Sequence, residues 1–144
     1  MKIAIINGPN LNLTGIRETG TYGHRDFPTF IAELRKNHSG TDLHYFQSNI
    51  EGEIVSKLHE WGFSFNGIIL NPGAYTHTSI AIADAIAAIK SPVVEVHLTN
   101  IFAREDYRHV SFSGAKCVGS VSGFGLYSYE LALAYFKKEK SAGN

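Results

Sequence analysis

Three observations predict an α/β fold built on a parallel sheet. Short apolar runs alternate with longer stretches of helical periodicity along the whole chain. The runs are nearly unbroken Ile, Val and Leu, as in strands covered on both faces. The composition suits a packed core: 44% of the 144 residues are hydrophobic and 18% charged, a length that suits one domain over residues 1–144.

The elements follow in order. Lys2 to Ile6 (KIAII) reads as a first buried strand. Pro28 to His38 reads as a helix, with Phe30, Ile31 and Leu34 on one side. Asp42 to Ser48 is a second strand, and Glu51 to Phe63 a second helix with Ile54, Leu58 and Trp61 spaced for one face. Gly67 to Asn71 is a third strand. Thr78 to Lys90 is an alanine-rich third helix, which Thr76 or Thr78 could cap. Pro92 to Leu98 is a fourth strand and Ala115 to Gly123 a fifth. Gly125 to Lys140 closes the chain as an amphipathic helix, with a frayed tail expected after it. Five such units fit a flavodoxin-like doubly wound sheet of five parallel strands with helices on both faces. No repeat or low-complexity linker divides them.

The formal net charge is zero, so no basic face for nucleic acid is evident. The N-terminal apolar run is stopped by Asn-Gly-Pro, too short for a signal segment or a membrane span. The lone cysteine, Cys117, cannot form an internal disulfide, and a cytoplasmic location is expected. Its apolar setting marks it as a structural thiol rather than a nucleophile.

In this fold class ligands bind beyond the carboxyl ends of the strands. After strand one comes a loop from Asn7 to about Arg25 with four glycines, offering Asn10, Asn12, Arg17 and Tyr22. A loop of that length reads equally as functional or as a solvated surface segment. It is not a phosphate cradle, because Pro9 removes an amide donor and leucines intervene. It lacks the clustered acids of a magnesium-binding receiver domain, and GxGxxG is missing. After strand three, NPGAYTHTS places Asn71 at a strand end and His77 before a helix; a capping turn with a surface histidine is the plainer reading.

Strand four poses the sharpest question, since Glu95 and His97 interrupt an apolar run. They share one face with Thr99. A carboxylate two residues before a histidine can orient it and favour its charged form. A buried ion pair without chemistry competes with that reading, and the position of His97 at the carboxyl end of the strand weighs against it. Arg104 and Arg108 share a face if their segment turns helically; one could hold an anion while the other pairs with Glu105 or Asp106. His77 and His97 follow different strands with no third ligand spaced beside them, so no metal site is expected.

The blocks NGPNLN, Arg17 with Tyr22-Gly23, NPGAYTHTS, EVHLTN and AREDYR strongly resemble type II 3-dehydroquinate dehydratase, in the family's order and over nearly the whole chain. The resemblance implies a cofactor-free, metal-free hydro-lyase of the shikimate pathway. Such enzymes convert 3-dehydroquinate to 3-dehydroshikimate through an enolate, and they assemble as homo-oligomers, typically dodecamers built as a tetramer of trimers. It implies Tyr22 as the base, with Arg17 favouring its phenolate. It implies Asn10 as enolate stabiliser through a water, and His97 as the acid oriented by Glu95. Asn71 and the amides of Leu98 and Thr99 would take the substrate carboxylate, and His77 and Arg108 its hydroxyls. Arg104 would stand near the entrance to the site, and Asp84 would reach a neighbouring subunit's site. The Arg17–Tyr22 loop would close as a lid. Thr99 departs from the serine many members carry, but keeps the hydroxyl and the amide. Two alternatives remain: a flavodoxin-like module binding FMN or a small anion without catalysis, and a hydro-lyase acting on a related cyclic acid.

Overall fold

The structure is a computed structural model that describes residues 1–16 and 25–142. Five strands form one sheet in the order β2-β1-β3-β4-β5: β1 Lys2–Asn7, β2 Asp42–Gln47, β3 Gly67–Asn71, β4 Val93–His97 and β5 Gly119–Ser122. Every pairing is parallel. The chain steps from β1 to β2 on one side, then to β3 on the other. The reversal places a crevice over the carboxyl ends of β1 and β3, where Asn7 is in register with Asn71.

Helices cover both faces. Alternate residues of β1 divide between two cores, Ile3 and Ile5 facing one and Ala4 and Ile6 the other. The first core holds Phe27, Phe30, Ile31 and Leu34 of α1 (Phe27–Asn37) and Tyr129, Leu133 and Phe136 of α4 (Tyr127–Ala142). The second holds Ile54 and Leu58 of α2 (Glu51–Trp61) and Ile82, Ala85 and Ile86 of α3 (Ile80–Ala88). These apolar stripes recur at three- and four-residue spacing, so each helix buries one side. Among the described residues no helix is long and apolar enough to cross a membrane.

Three boundaries differ from the sequence reading. The third helix begins at Ile80 and not Thr78, because Ser79, rather than Thr76 or Thr78, is its cap; the Ser79 hydroxyl accepts from the Ile82 amide at 2.9 Å. Gly73–His77 forms a separate 3-10 turn instead. The fifth strand shortens to Gly119–Ser122, since Gly114–Lys116 turns and the Cys117 amide bonds back to the Gly114 carbonyl. The final helix carries the expected frayed tail onward to Ala142.

Candidate active site

A cleft of about 300 Å³ opens at the carboxyl ends of the strands. Asn10, Asn71, His77, His97, Leu98, Thr99, Arg104 and Arg108 all line it, drawn from three loops far apart in sequence. Asn7 and Asn71 end adjacent strands, and the Gly8 amide bonds to the Asn71 carbonyl at 2.7 Å. The two loops touch so closely that a Cβ on Gly8 would stand 2.4 Å from the Pro72 carbonyl oxygen. Arg17 and Tyr22 lie outside the described residues.

Asn10 has φ +68°, a left-handed conformation that asparagine tolerates better than most residues. Its amide donates to Asn49 Oδ1 at 3.0 Å, and the same oxygen accepts from Gln47 Nε2. The carboxamide of Asn71 is held at both ends. Its Nδ2 donates to the Tyr129 hydroxyl at 2.9 Å, and its Oδ1 accepts from the Gly73 amide at 3.2 Å. Tyr129 in turn donates to Asn7 Oδ1 at 2.8 Å. Complete burial pushes the Tyr129 phenol well above its ordinary value despite its hydrogen bonds with Asn71 and Asn7, so it remains a neutral donor and acceptor.

His77 is no loose surface side chain: its Nδ1 lies 2.7 Å from the Val110 carbonyl. A carbonyl can only accept, so Nδ1 carries the proton and neutral His77 offers Nε2 as an acceptor. The ring lies nearly parallel to that of His97, with centroids 6.5 Å apart.

Glu95 and His97 are both buried, and Nε2 of His97 stands 2.8 Å from Glu95 Oε1. Burial would raise the Glu95 carboxyl, but hydrogen bonds from His97, Ser113 and Ser111 and the charge of His97 outweigh it. The group is held below its ordinary value and is a carboxylate near neutral pH. Thr76 Oγ1 and Ser111 Oγ each lie 2.9 Å from Oε1, and Ser113 donates to Oε2. These three hydroxyls escaped the sequence reading. Thr76 was seen there only as a possible cap, and the alternation of Ser111 and Ser113 in VSFSG was the signal available.

Arg104 and Arg108 reach the same cleft without a continuous helix. Arg104 is extended, between the short 3-10 turns Ile101–Ala103 and Asp106–Arg108. Both approach Glu105, Arg108 Nε at 2.9 Å and Arg104 Nε at 3.7 Å. Among the described residues no acceptor pairs with the backbone amides of Leu98 and Thr99, which leaves two donors beside the guanidinium groups. Asp84 is exposed on α3 and is not brought to this cleft. Among the described residues no group of three or more His, Cys, Asp or Glu is placed to hold a metal ion. Cys117, half-buried behind Glu95, has its thiol pushed up to about 12 by burial and by that carboxylate, which suits a structural thiol.

Comparison with known proteins decides what this cleft belongs to. The family described as dehydroquinase class II matches residues 1–137. The chain belongs to the class II dehydroquinase family. As a class II dehydroquinase it is 51% identical over 141 residues to a 3-dehydroquinate dehydratase of Clostridium perfringens (strain SM101 / Type A), covering 96% of this chain and 97% of that one. A 3-dehydroquinate dehydratase of Bacillus cereus (strain AH187) is 49% identical over 134 residues, 92% of each chain. The crystal structure of a type II dehydroquinase from Butyrivibrio crossotus DSM 2876 superposes with a TM-score of 0.90 at 40% identity, covering 95% of this chain and 97% of that one. The class II dehydroquinase fold is thus the flavodoxin-like sheet described above.

Proposed function

We propose that this chain is a type II 3-dehydroquinate dehydratase, a hydro-lyase that removes water from 3-dehydroquinate to give 3-dehydroshikimate. The observation that carries the reading is the buried Glu95–His97 pair at a polar cleft, in a chain of this family. Tyr22, as phenolate favoured by Arg17, takes the proton beside the ketone. The electron pair moves onto the ketone oxygen, and Asn10 stabilises the enolate through a water. The enolate then collapses as the neighbouring hydroxyl leaves with a proton from His97, forming water and the conjugated enone. Glu95 orients His97 throughout.

The substrate carboxylate sits on Asn71 and the amides of Leu98 and Thr99, and its hydroxyls meet His77 and Arg108. The locked tautomer of His77 supports this, because Nε2 can accept from a hydroxyl. The Leu98 and Thr99 amides, which find no acceptor among the described residues, support the carboxylate end. Thr99 supplies that amide whether the side chain is threonine or serine. We further place the enzyme in the cytoplasm as a dodecamer, a tetramer of trimers in which Asp84 approaches a neighbouring subunit's cleft. The pathway served is aromatic biosynthesis.

The test is ultraviolet absorbance with purified protein and 3-dehydroquinate, with chelator present and after borohydride treatment. Absorbance should rise under both conditions as the enone forms. Tyr22→Phe should lose turnover by at least about a hundredfold, the contribution of a positioned base, with an unchanged circular dichroism spectrum. Full activity in that variant would remove Tyr22 from its role. A folded, inactive parent that retains flavin on purification would favour the binding module instead.

A further inference from the structure

Glu95 receives more hydrogen bonds than orienting a histidine requires. Its Oε1 lies within 2.9 Å of three donors, Thr76 Oγ1, Ser111 Oγ and His97 Nε2, and its Oε2 accepts from Ser113. Thr76 stands at the centre of the hydroxyls, 2.7 Å from Ser111 Oγ and 2.8 Å from Ser113 Oγ. Ser111 also accepts from the Gly114 amide at 2.7 Å, so its own proton is free to point towards the carboxylate or Thr76. Each hydroxyl has one proton to give. With all three hydroxyls and His97 Nε2 donating, four protons can point at Glu95, and a carboxylic acid proton on Oε2 would have to turn the Ser113 hydroxyl away and give up that donor. The cradle therefore favours the carboxylate, which alone uses every donor. That charge in turn takes the Nε2 proton of His97 and leaves Nδ1 for the cleft. Thr76, Ser113 and Glu95 are essentially inaccessible to water, so solvent cannot replace a missing donor.

We propose that Thr76, Ser111 and Ser113 are positioning residues that keep Glu95 ionised and, through it, present His97 to the substrate by Nδ1. Through the catalytic cycle His97 then gives up and regains only the Nδ1 proton, while Glu95 takes none. The inference rests on the reading of His97 as the acid of the dehydratase.

The titratable groups facing the pair are few. His97 itself lies on β4, the Cys117 thiol follows the Gly114–Lys116 turn, and His77 stacks on His97. Hydrogen bonds now offset the burial that would raise Glu95, so removing a donor raises its pKa. The carboxylate is then lost at a higher pH, and the acid side of the kcat profile moves up with it.

Two variants of Thr76 separate the hydroxyl from the packing. Thr76→Val keeps the shape and removes the donor; Thr76→Ser keeps the donor and removes a methyl. Thr76→Val should move the acid limb of kcat up by about one pH unit, the scale of one charge-assisted hydrogen bond, with KM unchanged. Thr76→Ser should follow the parent. Should Thr76→Val not fold, Ser111→Ala and Ser113→Ala are read by the same profile. Nitrogen-15 spectra of histidine-labelled protein without substrate, assigned with His97→Gln, give an independent readout. Under alkaline conditions the parent His97 should carry its proton on Nε2, and that preference should weaken in Thr76→Val. A Thr76→Val profile equal to the parent's, a Thr76→Ser variant equally impaired, or a parent His97 protonated on Nδ1 would each overturn the proposal. A parent that fails to dehydrate 3-dehydroquinate would sink the functional reading alone, because the nitrogen spectra still decide the cradle.

Discussion

Asn10 does two jobs that a substitution can separate. Its backbone sits in the left-handed region, and its side chain lines the cleft. An L-residue without a short polar side chain pays about 1 kcal/mol or more to hold that conformation, whereas glycine does not. Asn10→Ala should therefore lose about 1 kcal/mol in urea unfolding as well as turnover. Asn10→Gly should keep the parent's stability and still lose turnover. If Asn10→Gly retained full turnover, the side chain would have no part in stabilising the enolate. Most site side chains were visible to this kind of residue-level reading. Glu95 and His97 stood out because charge inside an apolar run demands a partner, and they proved to be each other's. The Thr76–Ser111–Ser113 cradle was not visible, because hydroxyls in loops are ordinary and nothing in sequence places positions 76, 95 and 113 together.

Helix positions followed from apolar spacing, but helix ends did not. The third helix was expected from Thr78, yet three hydroxyl residues, Thr76, Thr78 and Ser79, compete for the cap within four positions. Ser79 wins because its hydroxyl reaches the Ile82 amide three residues ahead, while Thr76 is committed to Glu95. Ser79→Ala should cost about 1 kcal/mol in thermal or urea unfolding, the usual worth of a buried cap. Thr78→Ala should be near neutral in the same measurement; a reversal of the two would return the cap to Thr78. The fifth strand was overextended for a related reason. The apolar character of Ala115 to Val118 resembles a strand, but on the sheet edge the backbone turns there and the strand starts two residues after Cys117.

At the scale of the whole molecule, the cleft exists because two strand ends meet at the reversal of strand order. Gly8 is the point of contact, since a methyl group there would collide with the Pro72 carbonyl, which is backbone and cannot rotate away. Gly8→Ala should cost roughly 1–3 kcal/mol as an overpacked site and reduce turnover further by parting the loops of Asn10 and Asn71. Parent-like melting and activity would show that the loops move apart freely. The sequence alone determined the number of strands, the two-sided covering of the sheet, and the chemical types gathered at the strand ends. Those follow from local periodicity and from the cost of burying polar groups, which each segment carries with it. The tertiary structure decided which hydroxyls surround Glu95 and which tautomer His77 adopts. Hydrogen-bond partners at separations such as Asn7 with Tyr129 or Thr76 with Ser113 are set only when the sheet register and the loop contacts bring distant segments within 3 Å.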